Sequence, residues 1–268
     1  MTLLAIDVGG TKIAAALFNE QGIILKSEKV NLKGCRGKDV GALITEQINK
    51  FIEFARLEKD PVISIGLSVP GIYYSDQGRV WAPNIPGWDS YPLLEEIKTI
   101  SEGIPVTIDS DRACHMLGEL WMGNARGCKD AIFIAVGTGI GAGILVNGEI
   151  LRGSRDIAGS VGWMALDKPF RKDYVDCGCF EYHASGAGLA KVARDYLEKD
   201  TEYNGELRGK IPEEINSHDI LSLFTRGDKL CEKVMEEAIE YWGMAVANLV
   251  SIFNPEKIIF GGGLFGPA

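Results

Sequence analysis

The sequence predicts an α/β fold, and two observations carry that reading. Apolar runs of strand length alternate with longer stretches of helical spacing. A strand, glycine tip, strand arrangement also occurs twice, at Asp7-Val8-Gly9-Gly10-Thr11-Lys12 and at Val136-Gly137-Thr138-Gly139-Ile140-Gly141. A chain of 268 residues, 46% hydrophobic and 24% charged, can build one large domain or two ordinary ones around packed cores.

The first tip lies between Thr2-Leu3-Leu4-Ala5-Ile6, a buried strand by pattern, and a second apolar run over residues 13–18. Adjacent Gly9 and Gly10 let the backbone turn and approach a ligand closely. Their N–H groups can form an anion-binding concavity, to which Thr11 adds a hydroxyl and Lys12 a cation. Asp7 offers a hard oxygen that suits magnesium held through water. A plain hairpin with an aspartate turn residue stands as the equal alternative here, because short glycine motifs are weak signals.

Ile23-Ile24-Leu25 and Val30 fit a third strand. Residues 40–57 have helical spacing, and residues 62–69 form a strand that breaks at Pro70-Gly71. The prolines, glycines and tryptophans of residues 78–88 exclude a long regular element. Asn84 in that loop can offer donor and acceptor to a polyol, although a turn asparagine is the favoured reading of this residue alone. Residues 92–100 form a short helix.

Val106-Thr107-Ile108 is a strand that runs into Asp109-Ser110-Asp111, and a helix follows over residues 112–121. Asp or Ser at such a place is first of all a helix cap. The functional reading is a general base at a strand's C-terminal end, where open α/β sheets bind ligands. Residues 131–136 form a strand leading into the second tip, Gly137-Thr138-Gly139, followed by Ile144-Leu145-Val146 and the turn Asn147-Gly148. Two tips of this kind are a stronger polyphosphate signal than one.

Residues 152–176 have no clear period. Cys177-Gly178-Cys179 gives two thiolates where structural zinc takes four ligands, and His115, His183 and His218 are not spaced to supply the rest. Residues 187–197 are helical, residues 202–214 read as a surface loop, and residues 218–224 as a short helix. Asp228 caps a long helix whose expected core stripe is Leu230, Val234, Ala238, Tyr241, Trp242, Ala245, Leu249 and Ile252. Asn254-Pro255 ends it. Lys257-Ile258-Ile259-Phe260 is a strand broken by Gly261-Gly262-Gly263, which permits close approach to a flat ligand such as adenine.

The net charge of −9 argues against nucleic acid as the main partner. No apolar run reaches the roughly 18 residues of a spanning helix. The N-terminus enters a strand with no signal-peptide layout, and six irregularly spaced cysteines fit reduced thiols, so a cytoplasmic protein is expected.

Taken together, the two tips, Asn254-Pro255 through the triple glycine, Val69-Pro70-Gly71, Pro83-Asn84-Ile85-Pro86-Gly87-Trp88, Leu117-Gly118-Glu119 and Glu181 with Ser185-Gly186 resemble the ROK family nearly end to end. That family holds sugar kinases and sugar-responsive repressors within the actin-like ATPase superfamily. The resemblance implies a two-lobed actin-like (ribonuclease H-like) fold, with lobes over residues 1–108 and 109–268 around a ligand cleft. It also implies MgATP on the glycine tips and a hexose between the lobes. Carried over by position, Asp111 is the base, Gly71, Asn84, Ser110 and Glu181 touch the sugar, and Gly261, Gly262 and Gly263 lie near adenosine. Counting back from Leu117-Gly118-Glu119 selects Asp111 over Asp109, a choice that spacing alone does not make. A hinge is expected near residues 105–109. The expected partners are a sugar and a second copy of the chain.

Three departures stand out. Ser110-Asp111 replaces the usual Asn-Asp. Ser160-Val161-Gly162-Trp163 replaces a Glu-x-Gly-His element, which removes a carboxylate and a histidine that commonly binds both sugar and zinc. Of the usual zinc cysteines only Cys179 fits the pattern, so no structural zinc is expected. The broad apolar face of Trp163 either stacks on a pyranose ring or merely fills the space of a lost zinc site. No DNA-binding segment is expected before the phosphate tip, and a shortened C-terminal end is expected because the family pattern continues past the triple glycine. An ATP-dependent sugar kinase is the favoured reading, because both tips and Asp111 are intact. A non-catalytic sugar or nucleotide sensor is the alternative, supported by Ser160 and Trp163.

Overall fold

Alternate residues of Thr2–Val8 are buried, and this alternation makes β1 a strand with one covered face. The computed structural model describes residues 1–266. Its first compact unit contains Met1–Cys114 together with Arg152–Ile157. β1 pairs antiparallel with β2 (Lys12–Phe18), which pairs antiparallel with β3 (Ile24–Asn31). α1 (Lys38–Leu57) buries Ile44, Ile48 and Phe51, spaced three and four apart, against this sheet. Each such side chain contributes about 1.5–3 kcal/mol when fully buried.

β4 (Val62–Val69) lies parallel to β1. A small hairpin of β5 (Ile72–Tyr74) and β6 (Arg79–Trp81) follows, a pair of three-residue strands too short to show a period in the sequence. Gly71 enters it at φ +95, and a Cβ there would lie 2.2 Å from the Trp81 carbonyl oxygen. α2 (Leu93–Ile100) precedes β7 (Val106–Ser110), which is parallel to β4. The sheet order is therefore β3-β2-β1-β4-β7. α3 (Asp111–Met122) starts directly from β7.

The second unit contains His115–Leu151 and the described residues from Ala158 onward. β8 (Ala131–Val136) is buried along nearly its whole length, as a covered central strand should be. It pairs antiparallel with β9 (Ile140–Val146), and β10 (Glu149–Ile150) pairs with β9. The strand, tip, strand, turn, strand order expected from the sequence is thus present in both units.

α4 (Cys179–Ala184), α5 (Gly186–Lys199), α6 (Ser217–Thr225) and α7 (Lys229–Phe253) pack on one another. β11 (Lys257–Gly261) closes the order β10-β9-β8-β11, parallel to β8. Asp228 caps α7 by accepting the Leu230 and Cys231 N–H groups. The core stripe of α7 differs from the expected one at its end. Ile252 is 69% exposed, whereas its neighbour Phe253 packs on the core, and Asn254 in the left-handed conformation terminates the helix. Among the described residues no helix is long and apolar enough to cross a membrane.

Candidate active site

In the first unit the chemistry gathers at the C-terminal ends of three adjacent parallel strands. Asp7 on β1 pairs in register with Ser68 on β4, and Ser68 pairs with Asp109 on β7. Asp111 follows two residues later as the first residue of α3. The charges of all three aspartates are felt by the partly buried Cys114. Its thiol is pushed up to about 12 by burial first and then by Asp109, Asp111 and Asp7, against a hydrogen bond with Ser68.

Asp109 and Asp111 are held differently. One carboxylate oxygen of Asp109 accepts two donors from Arg152, Nη2 at 2.6 Å and Nε at 3.2 Å, and the other accepts the Ser110 N–H at 2.8 Å. Asp111 Oδ1 accepts the Arg112 N–H at 2.8 Å, inside the first turn of its own helix. Ser110 is 8% exposed, and its Oγ accepts the Ala113 N–H at 3.3 Å. It therefore caps α3, and its own O–H is left to donate. The Arg112 guanidinium reaches the Gly71 carbonyl at 3.3 Å. Burial lowers its pKa, opposed by Asp111 and Asp109.

The first tip is tight, with the Gly9 N–H donating to the Lys12 carbonyl at 2.9 Å. A Cβ on Gly10 would lie 3.1 Å from the Asn84 Cβ, so the tip and the Asn84 turn touch. That turn is anchored by Trp88, which stacks on Tyr91 at 4.5 Å and donates from Nε1 to the Gly37 carbonyl at 3.0 Å. The structure thus brings Asp7, Gly9, Gly10, Thr11, Lys12, Asn84 and Asp111 to one edge of one sheet.

In the second unit the Gly137-Thr138-Gly139 tip meets the start of α5. The Gly186 N–H donates to the Gly137 carbonyl at 2.8 Å and the Ala187 N–H to the Thr138 carbonyl at 3.1 Å. Ser185 caps α5 by accepting the Gly188 N–H at 2.9 Å. A cavity of about 470 Å³ opens here, between the tip, Ala187 and Ala190 of α5, Leu221 of α6, and Gly263. Lys191, Arg194 and His218 also line it.

Within the triple glycine the three residues differ. Gly263 lines the cavity. Gly262, at φ +95, makes a turn in which a Cβ would lie 2.6 Å from the Val136 carbonyl oxygen. Gly261 leaves room for the Phe133 ring, 2.5 Å from where its Cβ would stand. The sequence reading missed Ala187, Ala190, Leu221 and the cations of α5. The run of small residues Ser185-Gly186-Ala187-Gly188 was the signal available for them.

A donor set of this kind suits a nucleotide, because apolar small residues flank one wall and backbone N–H groups and cations meet a polyanion. Magnesium held through water needs one or two carboxylates rather than a closed cage, and Asp7 supplies one at the first tip.

Glu181 lies on α4, whose other residues, Cys179, Phe180, Tyr182, His183 and Ala184, are all buried. A helix buried on almost every side has no amphipathic period, which is why the sequence did not show it. His183 is 6% exposed, stacks on Tyr241 at 4.3 Å, and contacts Tyr174 Oη at 2.7 Å and Glu237 Oε1 at 2.5 Å. Tyr182 shares Arg171 and Asp195 with its hydroxyl at 3.1 Å from each. Burial raises the Glu181 carboxyl, against the Ile140 N–H that it accepts.

Ser160 precedes a 3-10 turn, Val161–Trp163, on which the Trp163 indole is 57% exposed. Gly162 of that turn packs on Glu181 and Ile140. The described residues do not fit a structural zinc. Trp163 has no ligand atom for it, the Cys177 Sγ is within 3.6 Å of the Lys191 ammonium, and no three His, Cys, Asp or Glu side chains are placed to hold a metal.

The sequence profile of the ROK family matches residues 3–266. A glucokinase from Halalkalibacterium halodurans is 33% identical over 269 residues, covering 97% of this chain and 80% of its own. A xylose repressor from Caldicellulosiruptor bescii is 32% identical over 265 residues, covering 97% of this chain and 65% of its own. A solved structure of a ROK family glucokinase from Streptomyces griseus, in complex with glucose and AMPPNP, matches with a TM-score of 0.75 at 27% identity, over 98% of this chain and 84% of that one.

Proposed function

The chain belongs to the ROK family and has its actin-like α/β fold, and on that premise we propose that it transfers the γ-phosphoryl group of ATP to a hydroxyl of a hexose or hexose derivative. Relatives that are glucokinases support sugar phosphorylation at the level of the family. The observation that carries the proposal for this chain is the gathering of Asp7 and Asp111 at one sheet edge beside the first glycine tip.

In this reading Asp111 accepts the proton of the attacking hydroxyl, which requires an approach of about 2.6–3.2 Å. Gly71, Asn84, Ser110, Ser160, Trp163 and Glu181 bind the sugar. Gly9, Gly10, Thr11 and Lys12, with Gly137, Thr138 and Gly139, present donors to phosphate oxygens, and Asp7 holds magnesium through water. The cavity lined by Gly263 takes the nucleoside, with Gly261 and Gly262 shaping its rim. When bound, MgATP supplies the phosphoryl group and the metal charge that offsets its developing negative charge. The lobe division after residue 108, a cytoplasmic setting and a homodimer go with this reading.

A second reading, a sugar or nucleotide sensor without turnover, has support in the repressor relatives and in Ser160 and Trp163. ATP consumption across a panel of hexoses and hexose derivatives separates the two. Turnover that disappears in Asp111→Asn is expected. Sugars that raise the melting temperature while none stimulates ATP use would favour the sensor.

A further inference from the structure

The Glu181 carboxylate lies against the second glycine tip. Its Oε2 accepts the Ile140 N–H at 2.6 Å. A Cβ on Gly139 would lie 2.6 Å from the same oxygen, and one on Gly162 would lie 3.1 Å from it. Both positions are therefore shaped around this carboxylate. The opposite side of the tip is held by backbone alone, through the Gly186 and Ala187 N–H groups on the Gly137 and Thr138 carbonyls. Inside the tip the Gly137 N–H donates to the Gly139 carbonyl at 3.0 Å.

Each residue from 137 to 140 thus carries a defined hydrogen bond, and α4 and α5 reach this stretch through residues 181–187. Gly186 and Ala187 contribute backbone N–H groups, whereas Glu181 contributes its side chain. Its direction is set by its neighbours on α4, because Tyr182 is tied to Arg171 and Asp195 and His183 to Tyr174 and Glu237.

We propose that Glu181 is a positioning residue for the nucleotide: by holding the Ile140 N–H it keeps the tip in the shape that presents its remaining groups to phosphate. This is separate from the sugar contact proposed for Glu181, and its nucleotide consequence rests on the kinase reading. Loss of a hydrogen bond to a charged acceptor in a part-buried site corresponds to about tenfold or more in affinity.

The test uses three variants of the full chain and two readouts. One readout is hydrogen exchange at the Ile140 amide, and the other is calorimetric titration with AMPPNP and magnesium. Glu181→Gln keeps an oxygen at the same reach, so slow exchange and nucleotide affinity within about threefold of the parent are expected. Glu181→Asp withdraws the carboxylate by one methylene, so the Ile140 amide should exchange faster and AMPPNP should bind about tenfold or more weakly. Gly139→Ala pushes a methyl onto Oε2 from the other side and should loosen the same amide, which provides a route independent of how well Glu181→Asp folds. A role confined to sugar would leave AMPPNP affinity and Ile140 exchange as in the parent in Glu181→Asp, and that result overturns the proposal. A parent that binds no AMPPNP would overturn the kinase reading instead, and Ile140 exchange would still decide the brace.

Discussion

Asp109 and Asp111 lie two residues apart at one strand end, yet they are held by different partners. Asp109 has both oxygens engaged, one by Arg152 and one by the Ser110 N–H. Asp111 opens α3 and bonds within its own turn. Arg152 is distant in sequence and belongs to a stretch with no readable period, so this distinction was not legible from the residues around Asp109. Asp111→Asn keeps size and capping ability but cannot take a proton. It is expected to fold normally, to bind ATP, and to lose about 10²–10⁴ in phosphoryl transfer, measured as kcat. Asp109→Asn should keep most activity. An active Asp111→Asn beside a dead Asp109→Asn would show that the base is Asp109.

Trp163 either stacks on a pyranose ring or fills the space of a lost zinc site, and its indole is 57% exposed. Trp163→Ala should change stability by no more than about 0.5 kcal/mol, as an exposed substitution does. It should raise the sugar KM, most for acceptors with an apolar substituent. An unchanged KM over the whole sugar panel would remove Trp163 from the acceptor site.

Between elements, the glycine tips were legible because a turn between two apolar runs leaves a local signature. α4 was not, because its contacts are long-range. Its stability depends on a buried group of polar side chains, and this makes a pH test possible. An ionised Glu237 can only accept, so His183 Nδ1 carries the proton toward it and Nε2 accepts from Tyr174. Burial by itself would raise the Glu237 carboxyl, but the hydrogen bonds from His183 and Tyr196 outweigh it and hold the carboxyl below its ordinary value.

A depressed folded-state value means that the stabilisation is fully present above the unfolded carboxylate value, roughly 4.3. It is lost as pH falls through the lower folded value. The melting temperature of Glu237→Gln should therefore lie below that of the parent at neutral pH, and the gap should narrow as pH drops below about 4.3. A gap that stays constant from neutral pH into the acid range would refute this account of Glu237. Glu181 rides on the same helix, so loosening His183 should also reach the second tip.

For the molecule as a whole, the family resemblance raises the question of a zinc ion, and the answer bears on how residues 164–178 are held. A zinc site there would tie the segment through cysteines and a histidine. In this chain the segment is tied by Tyr174, which is buried and reaches His183, and by Arg171, which reaches Tyr182 and Asp195. These are hydrogen bonds among protein groups and need no ion. Tyr174 itself is pushed up to about 12, by burial first and then by Cys179, so it remains a neutral donor at physiological pH. Chelator treatment should therefore leave the melting temperature unchanged, and elemental analysis of untagged protein should find far less than one zinc per chain. Tyr174→Phe, which removes one hydroxyl from a buried pair, should instead lower stability by about 1–3 kcal/mol by leaving the His183 acceptor unsatisfied. One zinc per chain together with a chelator-sensitive melt would mean that the ion, and not the Tyr174 and His183 pair, holds this segment.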